Sequence, residues 1–240
     1  MTKKYGLIGK KLGHSFSPAY FSKKFAEASL FDHSYSAFEL DHIEEIPRIL
    51  SEDLAGANVT IPYKKAIIPY LHRLDEAAAI IGAVNCIVNK NGLYTGFNTD
   101  WLGFRQSLLE FIGDQRPEAL VLGNGGASKA ICFALDHLKI NYTVISRSEK
   151  GLRYEDLTPS IVSANHLIIN TTPLGMYPFV DDLPQIPYEG IDDQHFVFDL
   201  IYNPEKTLFL ALSAERGAKI QNGYPMLIYQ AEESWKLWNS

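Results

Sequence analysis

Leu120-Val121-Leu122-Gly123-Asn124-Gly125-Gly126-Ala127-Ser128 is the stretch that decides the fold. Three apolar residues that read as a buried strand run into a glycine cluster, and Ala127–Leu138 behind it carries a helical pattern. A Gly-x-Gly-x-x-small turn between a strand and a helix is the arrangement that holds a dinucleotide. The first glycine permits the tight turn and the second lets the backbone approach a pyrophosphate. Free N–H groups and the dipole at the helix start then stabilise the negative charge. Ser128, in place of a third glycine, is small enough for the helix to pack on the strand. Taken alone, a tight turn with no ligand would read the same way. The next strand adds to the case. Tyr142–Ile145 leads into Ser146-Arg147-Ser148, with no acid at its tip to hold a ribose 2′-hydroxyl. A guanidinium flanked by hydroxyls suits a 2′-phosphate, so NADP is expected over NAD.

Downstream, Leu167–Ile169 and Phe196–Ile201 are apolar without alternation, and Thr207–Glu215 is helical. Such strands suit a parallel sheet covered on both faces. Met226–Trp238 places Leu227, Ala231, Trp235 and Trp238 on one stripe, and the two tryptophans read as packing anchors. Upstream, Tyr5–Ile8, Tyr35–Leu40 and Ala57–Ile61 read as strands, and Pro18–Leu30, Ile43–Leu50 and Lys64–Leu74 as helices. Val84–Val88 and Leu93–Phe97 flank Asn89-Lys90-Asn91-Gly92, a hairpin signal that makes the first sheet mixed. Trp101–Ile112 is a long amphipathic stretch ending in Gly113. The fold class is therefore α/β in two domains. An N-terminal domain with a mixed sheet, residues 1–101 completed by about 224–240, is joined to a Rossmann-like domain with a parallel sheet, 102–223.

The 240 residues are 46% apolar and 21% charged, which is ordinary globular usage and excludes disordered, collagenous and coiled-coil classes. With 22 basic and 28 acidic residues the net charge is -6, and nucleic acid is set aside as a partner for want of a positive face. A small anionic ligand remains compatible, because a few local cations can hold one. The longest apolar stretch, Ala77–Val84, is far short of the ~20 residues of a membrane span. Tyr5–Gly9 is too short for a signal peptide. Two cysteines 46 positions apart make neither a disulfide framework nor a zinc site, and the scattered histidines show no metal spacing. A cytoplasmic protein with reduced thiols, acting on a small molecule as a monomer or homodimer, is expected. Cys86 and Cys132 read as small buried hydrophobes and His14 as a structural turn residue.

In the first domain, Ser15 and Ser17 lie two apart, and on an extended segment both would face one way. Their hydroxyls suit a carboxylate or sugar-like hydroxyls, but Ser17-Pro18 is also what an N-cap before a first-turn proline looks like. Lys64, after Asn58-Val59-Thr60-Ile61-Pro62-Tyr63, is placed to donate a proton to a substrate oxygen if its environment lowers its pKa. Asp100 offers either a carboxylate or a cap at a helix start. The residues by themselves lead only to an NADP-binding enzyme of unspecified substrate.

Nine motifs in order resemble the shikimate dehydrogenase family nearly end to end: Gly13–Pro18, Gly56–Lys64, Gly82–Asn85, Gly96–Asp100, Gly123–Ser128, Ser146–Ser148, Asn170–Met176, Asp199–Thr207 and Gly223–Ala231. The resemblance implies reversible, NADPH-dependent reduction of 3-dehydroshikimate to shikimate, on the route to chorismate and the aromatic amino acids, with no metal. It assigns Lys64 and Asp100 as the catalytic pair. Ser15 and Ser17 would hold the substrate carboxylate, Thr60, Asn85 and Asp100 the ring hydroxyls, and Tyr202 and Gln230 the far side. Cofactor contacts fall on Glu76, Gly123, Asn124, Gly125, Gly126, Ala127, Ser128, Ser146, Arg147, Ser148, Leu200 and Gly223. Two features depart from the family. Asn124 stands where alanine is usual, its side chain expected to point away from the pyrophosphate, and Gly151–Asn165 leaves little room for a full helix after Arg147. Weaker readings are a quinate/shikimate dehydrogenase of relaxed substrate or cofactor choice, a non-catalytic NADP-responsive sensor, and a folate-linked dehydrogenase of similar architecture. The paired serines argue against the last.

Overall fold

The computed structural model describes residues 3–13, 15–147 and 151–240. They divide into two units, one of residues up to Thr99 together with Ala231–Ser240, the other Asp100–Gln230. The second break falls inside the last helix, where the sequence reading puts it ahead of that helix.

The first unit is built from β1 (Lys3–Gly9), α1 (Phe16–Glu27), β2 (His33–Glu39), α2 (Ile46–Leu50), β3 (Gly56–Val59), β4 (Arg73–Leu74), α3 (Glu76–Ile81), β5 (Cys86–Lys90) and β6 (Leu93–Phe97). The strands form one mixed sheet in the order β2-β1-β3-β5-β6-β4. β1 runs parallel to β2 and β3, whereas β5 is antiparallel to both β3 and β6. The expected hairpin is β5–β6, closed by Asn91 and Gly92 at positive φ and by the Gly92 N–H donating to Asn89 Oδ1. Alternate strand residues supply two cores. Ile8, Ala57, Val59 and Ile87 meet Ile46, Ile49 and Ile67 on one face. Tyr5, Cys86 and Val88 meet Phe21, Phe25, Ala231 and Trp238 on the other.

The helix expected over Lys64–Leu74 does not form. Turns run from Ile61 to Ile67, and Ile68–Tyr70 makes one 3-10 turn. Pro69 within the stretch has no N–H to donate and its ring crowds the preceding turn. Short-range bonds take over, among them Tyr63 N–H to the Thr60 carbonyl and Tyr70 N–H to the Ile67 carbonyl.

The second unit contains α4 (Asp100–Ile112), β7 (Ala119–Leu122), α5 (Gly126–Leu138), β8 (Tyr142–Ser146), β9 (Leu152–Arg153), α6 (Pro159–Ala164), β10 (Leu167–Asn170), β11 (Phe196–Asp199), α7 (Leu208–Glu215) and β12 (Lys219–Gln221). Its last element, α8 (Tyr224–Trp238), crosses into the first unit after Gln230. The sheet is parallel throughout, in the order β12-β11-β10-β7-β8-β9. Counted from β7, this is the doubly wound order whose reversal lies between β7 and β10. Both faces are covered. Val121, Ile169 and Phe198 pack on Phe104, Leu108 and Ile131, while Leu120, Ile168 and Val197 pack on Val162, Phe209 and Leu210. Each such side chain contributes about 1.5–3 kcal/mol by leaving water, which is why these strands are apolar without alternation. In Gly151–Asn165 a two-residue strand, a 3-10 turn and the six-residue α6 replace a full helix. No helix among the described residues is long and apolar enough to cross a membrane.

Candidate functional site

In the first unit, the ends of β1, β3 and β6 and the start of β5 lie along one edge of the sheet. That edge gathers the polar residues singled out from the sequence. Ser15 occupies the N-cap of α1, in an extended conformation (φ -76°, ψ 138°), and its side chain makes no capping hydrogen bond. Ser17, expected as the cap, instead lies in the first turn and is buried, so the pair straddles a helix start rather than an extended segment. Thr60 follows β3, its N–H donating to the Ile8 carbonyl at 2.9 Å. Lys64 is half-buried on the turn beyond it, and its carbonyl accepts the Val84 N–H at 2.7 Å. That bond ties the lysine to the segment bearing Asn85.

Asn85 is buried just ahead of β5. Its Oδ1 accepts the Thr99 N–H at 2.5 Å, and its Nδ2 donates to Thr99 Oγ1 at 3.0 Å. Asn85 thereby holds the residue next to Asp100, which opens α4 and belongs to the second unit. Glu76, the first residue of α3, is exposed behind an Asp75 cap that accepts the Ala78 N–H at 2.9 Å. Cys86 faces the inner core, and burial pushes its thiol up to about 12, so it stays protonated and unreactive.

In the second unit, the carboxyl ends of the parallel strands carry the expected cofactor residues. Gly123 has φ +106°, and a Cβ there would lie 2.8 Å from Thr171 Oγ1 on the neighbouring strand's exit. Only glycine satisfies both demands. At Gly125 and Gly126 a Cβ would meet nothing within 4 Å, and residues 124–127 are exposed. The N-terminus of the thirteen-residue α5 is therefore open to an anion, while Ser128 is buried against the sheet. This is the local shape a pyrophosphate requires. Ser146 is buried and Arg147 exposed at the end of β8; Ser148, like His14, lies outside the described residues.

Leu200 and Gly223 are brought together, since a Cβ on Gly223 would strike the Leu200 carbonyl and the Gly223 N–H donates to the Ile201 carbonyl at 3.0 Å. Gly223→Ala is expected to cost ~1–3 kcal/mol through backbone displacement. Thermal unfolding would read that loss. Tyr202 stands partly exposed beside Leu200–Ile201, its phenol pushed up by burial of the oxygen. Gln230 is buried on α8, and its Nε2 donates to the Leu227 carbonyl at 2.9 Å.

Two buried polar groups carry no role in the sequence reading. Asn58 sits within a strand whose four residues are all buried. Asp199, fully buried at the end of β11, accepts from Thr207 Oγ1 at 2.6 Å and from Asn170 Nδ2 and the Ile201 N–H at 3.0 Å each. The Asn170 Oδ1 in turn accepts the Thr172 N–H and hydroxyl, at 3.0 and 2.6 Å. Asp199 therefore links the loops after β10 and β11 on either side of Leu200. A polar residue inside an apolar strand was the available signal for both.

Residues 7–87 match the family model for the shikimate dehydrogenase substrate binding domain. A relative from Desulforamulus reducens, named shikimate dehydrogenase (NADP(+)), is 37% identical over 262 residues, spanning 99% of this chain and 90% of the relative. The solved shikimate 5-dehydrogenase of Thermus thermophilus, in complex with NADP(H) and shikimate, superposes with TM-score 0.88 at 30% identity, over 98% of this chain and 93% of that one. The Listeria monocytogenes shikimate 5-dehydrogenase, in complex with shikimate and NAD, gives TM-score 0.89 at 28% identity, over 99% of this chain and 92% of that one. With the open glycine turn, the polar sheet edge and near-complete alignment to these relatives, the chain belongs to the shikimate dehydrogenase family.

Proposed function

We propose that this protein reduces 3-dehydroshikimate to shikimate with NADPH and runs the reverse oxidation with NADP. The observation that carries this reading is the open start of α5 at Gly125-Gly126, in a chain aligned over 99% of its length with a relative named shikimate dehydrogenase (NADP(+)). Bound NADPH supplies the hydride that reaches the C3 carbonyl carbon. Lys64 gives its proton to the oxygen as it becomes the hydroxyl, and in the reverse direction takes it back as the neutral amine. Asp100 hydrogen-bonds the substrate hydroxyl and keeps the lysine in place. Ser15 and Ser17 donate to the substrate carboxylate, and Thr60 and Asn85 hold ring hydroxyls. Tyr202 and Gln230 make the far-side contacts, while Glu76, Leu200 and Gly223 join residues 123–128 and 146–148 around the cofactor. In this reading residues 1–101 with 224–240 bind the substrate and 102–223 bind NADP, in a cytoplasmic monomer or homodimer.

NADPH oxidation by the purified protein with 3-dehydroshikimate tests the reading, run beside NADH and beside shikimate and quinate in reverse. Turnover confined to NADPH and the shikimate pair is expected. NADPH binding without any turnover would instead mark a sensor. Arg147→Ala is expected to raise the KM for NADPH about tenfold, the loss of one charge-assisted hydrogen bond, and to leave the KM for NADH unchanged. Equal shifts for both cofactors would remove the 2′-phosphate role.

A further inference from the structure

Behind the proposed substrate residues, the first unit contains a continuous chain of buried hydrogen bonds. Tyr35 on β2 donates its phenol proton to Asn58 Oδ1 at 2.9 Å. Asn58 on β3 donates from Nδ2 to Ser234 Oγ on α8 at 2.9 Å and to the Asn85 carbonyl at 3.2 Å. Ser234 Oγ lies 3.2 Å from Thr99 Oγ1, which accepts the Asn85 amide. Asn58, Asn85, Thr99 and Ser234 are each 4% exposed or less.

The chemistry of the acceptors sets the direction of this chain. The Asn85 carbonyl accepts only, so the Asn58 Nδ2 must face it and Oδ1 must face Tyr35. Tyr35 has a single proton, which Oδ1 takes. An apolar residue at 58 would fill the strand without the ~1–3 kcal/mol risk of an unpaired buried amide.

We propose that Tyr35 and Asn58 are positioning residues of the substrate site, holding Asn85 and Thr99 in one preset frame whose far end is Ser234 of α8. The inference rests on the proposed function, since it needs Asn85 to bind substrate. A site ordered before binding loses less freedom when the ligand arrives, so the benefit appears in substrate affinity rather than in the chemical step.

Tyr35→Phe keeps the ring stacked on Phe21, 4.7 Å between centroids, and removes only the hydroxyl. Ser234→Ala removes the partner at the other end. In both variants the KM for shikimate is expected to rise about tenfold, with kcat within about twofold of wild type and the KM for NADP unchanged. A purely structural role would move Tm and active fraction without that split. The inference is overturned if either folded variant keeps its shikimate KM within about twofold, or loses kcat at constant KM. If Tyr35→Phe fails to fold, Ser234→Ala decides by the same criterion. Wild-type protein is assayed first. Absence of turnover there overturns the proposed function itself, whereas wild-type turnover with unmoved variant KM values overturns the frame alone.

Discussion

Lys64→Ala is expected to lower turnover by ~10²-fold or more at saturating substrate while cofactor affinity stays near that of the wild type. Hydride transfer to a carbonyl leaves an alkoxide unless a proton arrives with it, and a positioned general acid is worth about 10²–10⁴ in rate. Alanine removes the donor but no packing anchor, because Tyr63 and Ile67 fill the core under that turn. The turn itself survives, since the bond from the Val84 N–H to the residue 64 carbonyl belongs to the backbone. Steady-state kinetics with NADPH and 3-dehydroshikimate, beside NADPH titration of the variant, would check this. Near-normal turnover would remove the general-acid role from Lys64.

The second large effect concerns pH. Burial raises the Asp199 carboxyl from 3.8 to about 6, against the opposing pull of donors on Thr207, Ile201 and Asn170. The folded protein therefore binds this proton more tightly than the unfolded chain does. Stability from this group is fully present below about pH 4 and is lost as pH rises through about 6, an amount of about 3 kcal/mol. Asp199→Asn keeps an acceptor for Ile201 and Asn170 and offers an amide donor to Thr207, but cannot titrate. Relative to wild type, the asparagine variant should gain about 2.4 kcal/mol of stability between pH 4 and pH 7. Urea unfolding of both proteins at the two pH values would read this as a double difference, in which the other carboxylates cancel. A pH-independent difference would place the Asp199 pKa at its ordinary value.

The parallel-sheet unit was the most legible part of the chain. Leu120–Ser128 announces its own geometry, because a strand buried on both faces must be apolar throughout and the turn that leaves it must be glycine. The hairpin was readable for a similar local reason at Asn89–Gly92. Where local pattern and chain breakers conflicted, the breakers prevailed, and Pro69 dissolved a helix that periodicity favoured. The cap offered as an alternative role for Ser17 falls to Ser15 instead, because Pro18 tolerates more than one position in a first turn and helix α1 starts at Phe16. The two-residue β9 exists only through its pairing with β8, and α3 carried local signals that were passed over, the Asp75 cap and the left-handed Gly82 at its end. The polar frame around Asn58 could not be seen either, since its partners come from β2, from Thr99 and from Ser234, 176 residues further on.

The passage of α8 from one unit into the other has a consequence for the order in which the protein is made. Residues 100–230 leave the ribosome as a complete set and can close their own sheet. The earlier residues cannot do the same: Tyr5, Phe21 and Phe25 complete their core with Ala231 and Trp238, and Asn58 finds its acceptor on Ser234. Those earlier residues therefore wait for Ala231, Ser234 and Trp238, and an aromatic surface stays uncovered until that segment has been made. That reverses the usual N-terminal-first sequence of domain folding. It makes the emerging chain, more than the finished enzyme, the species that would depend on a chaperone.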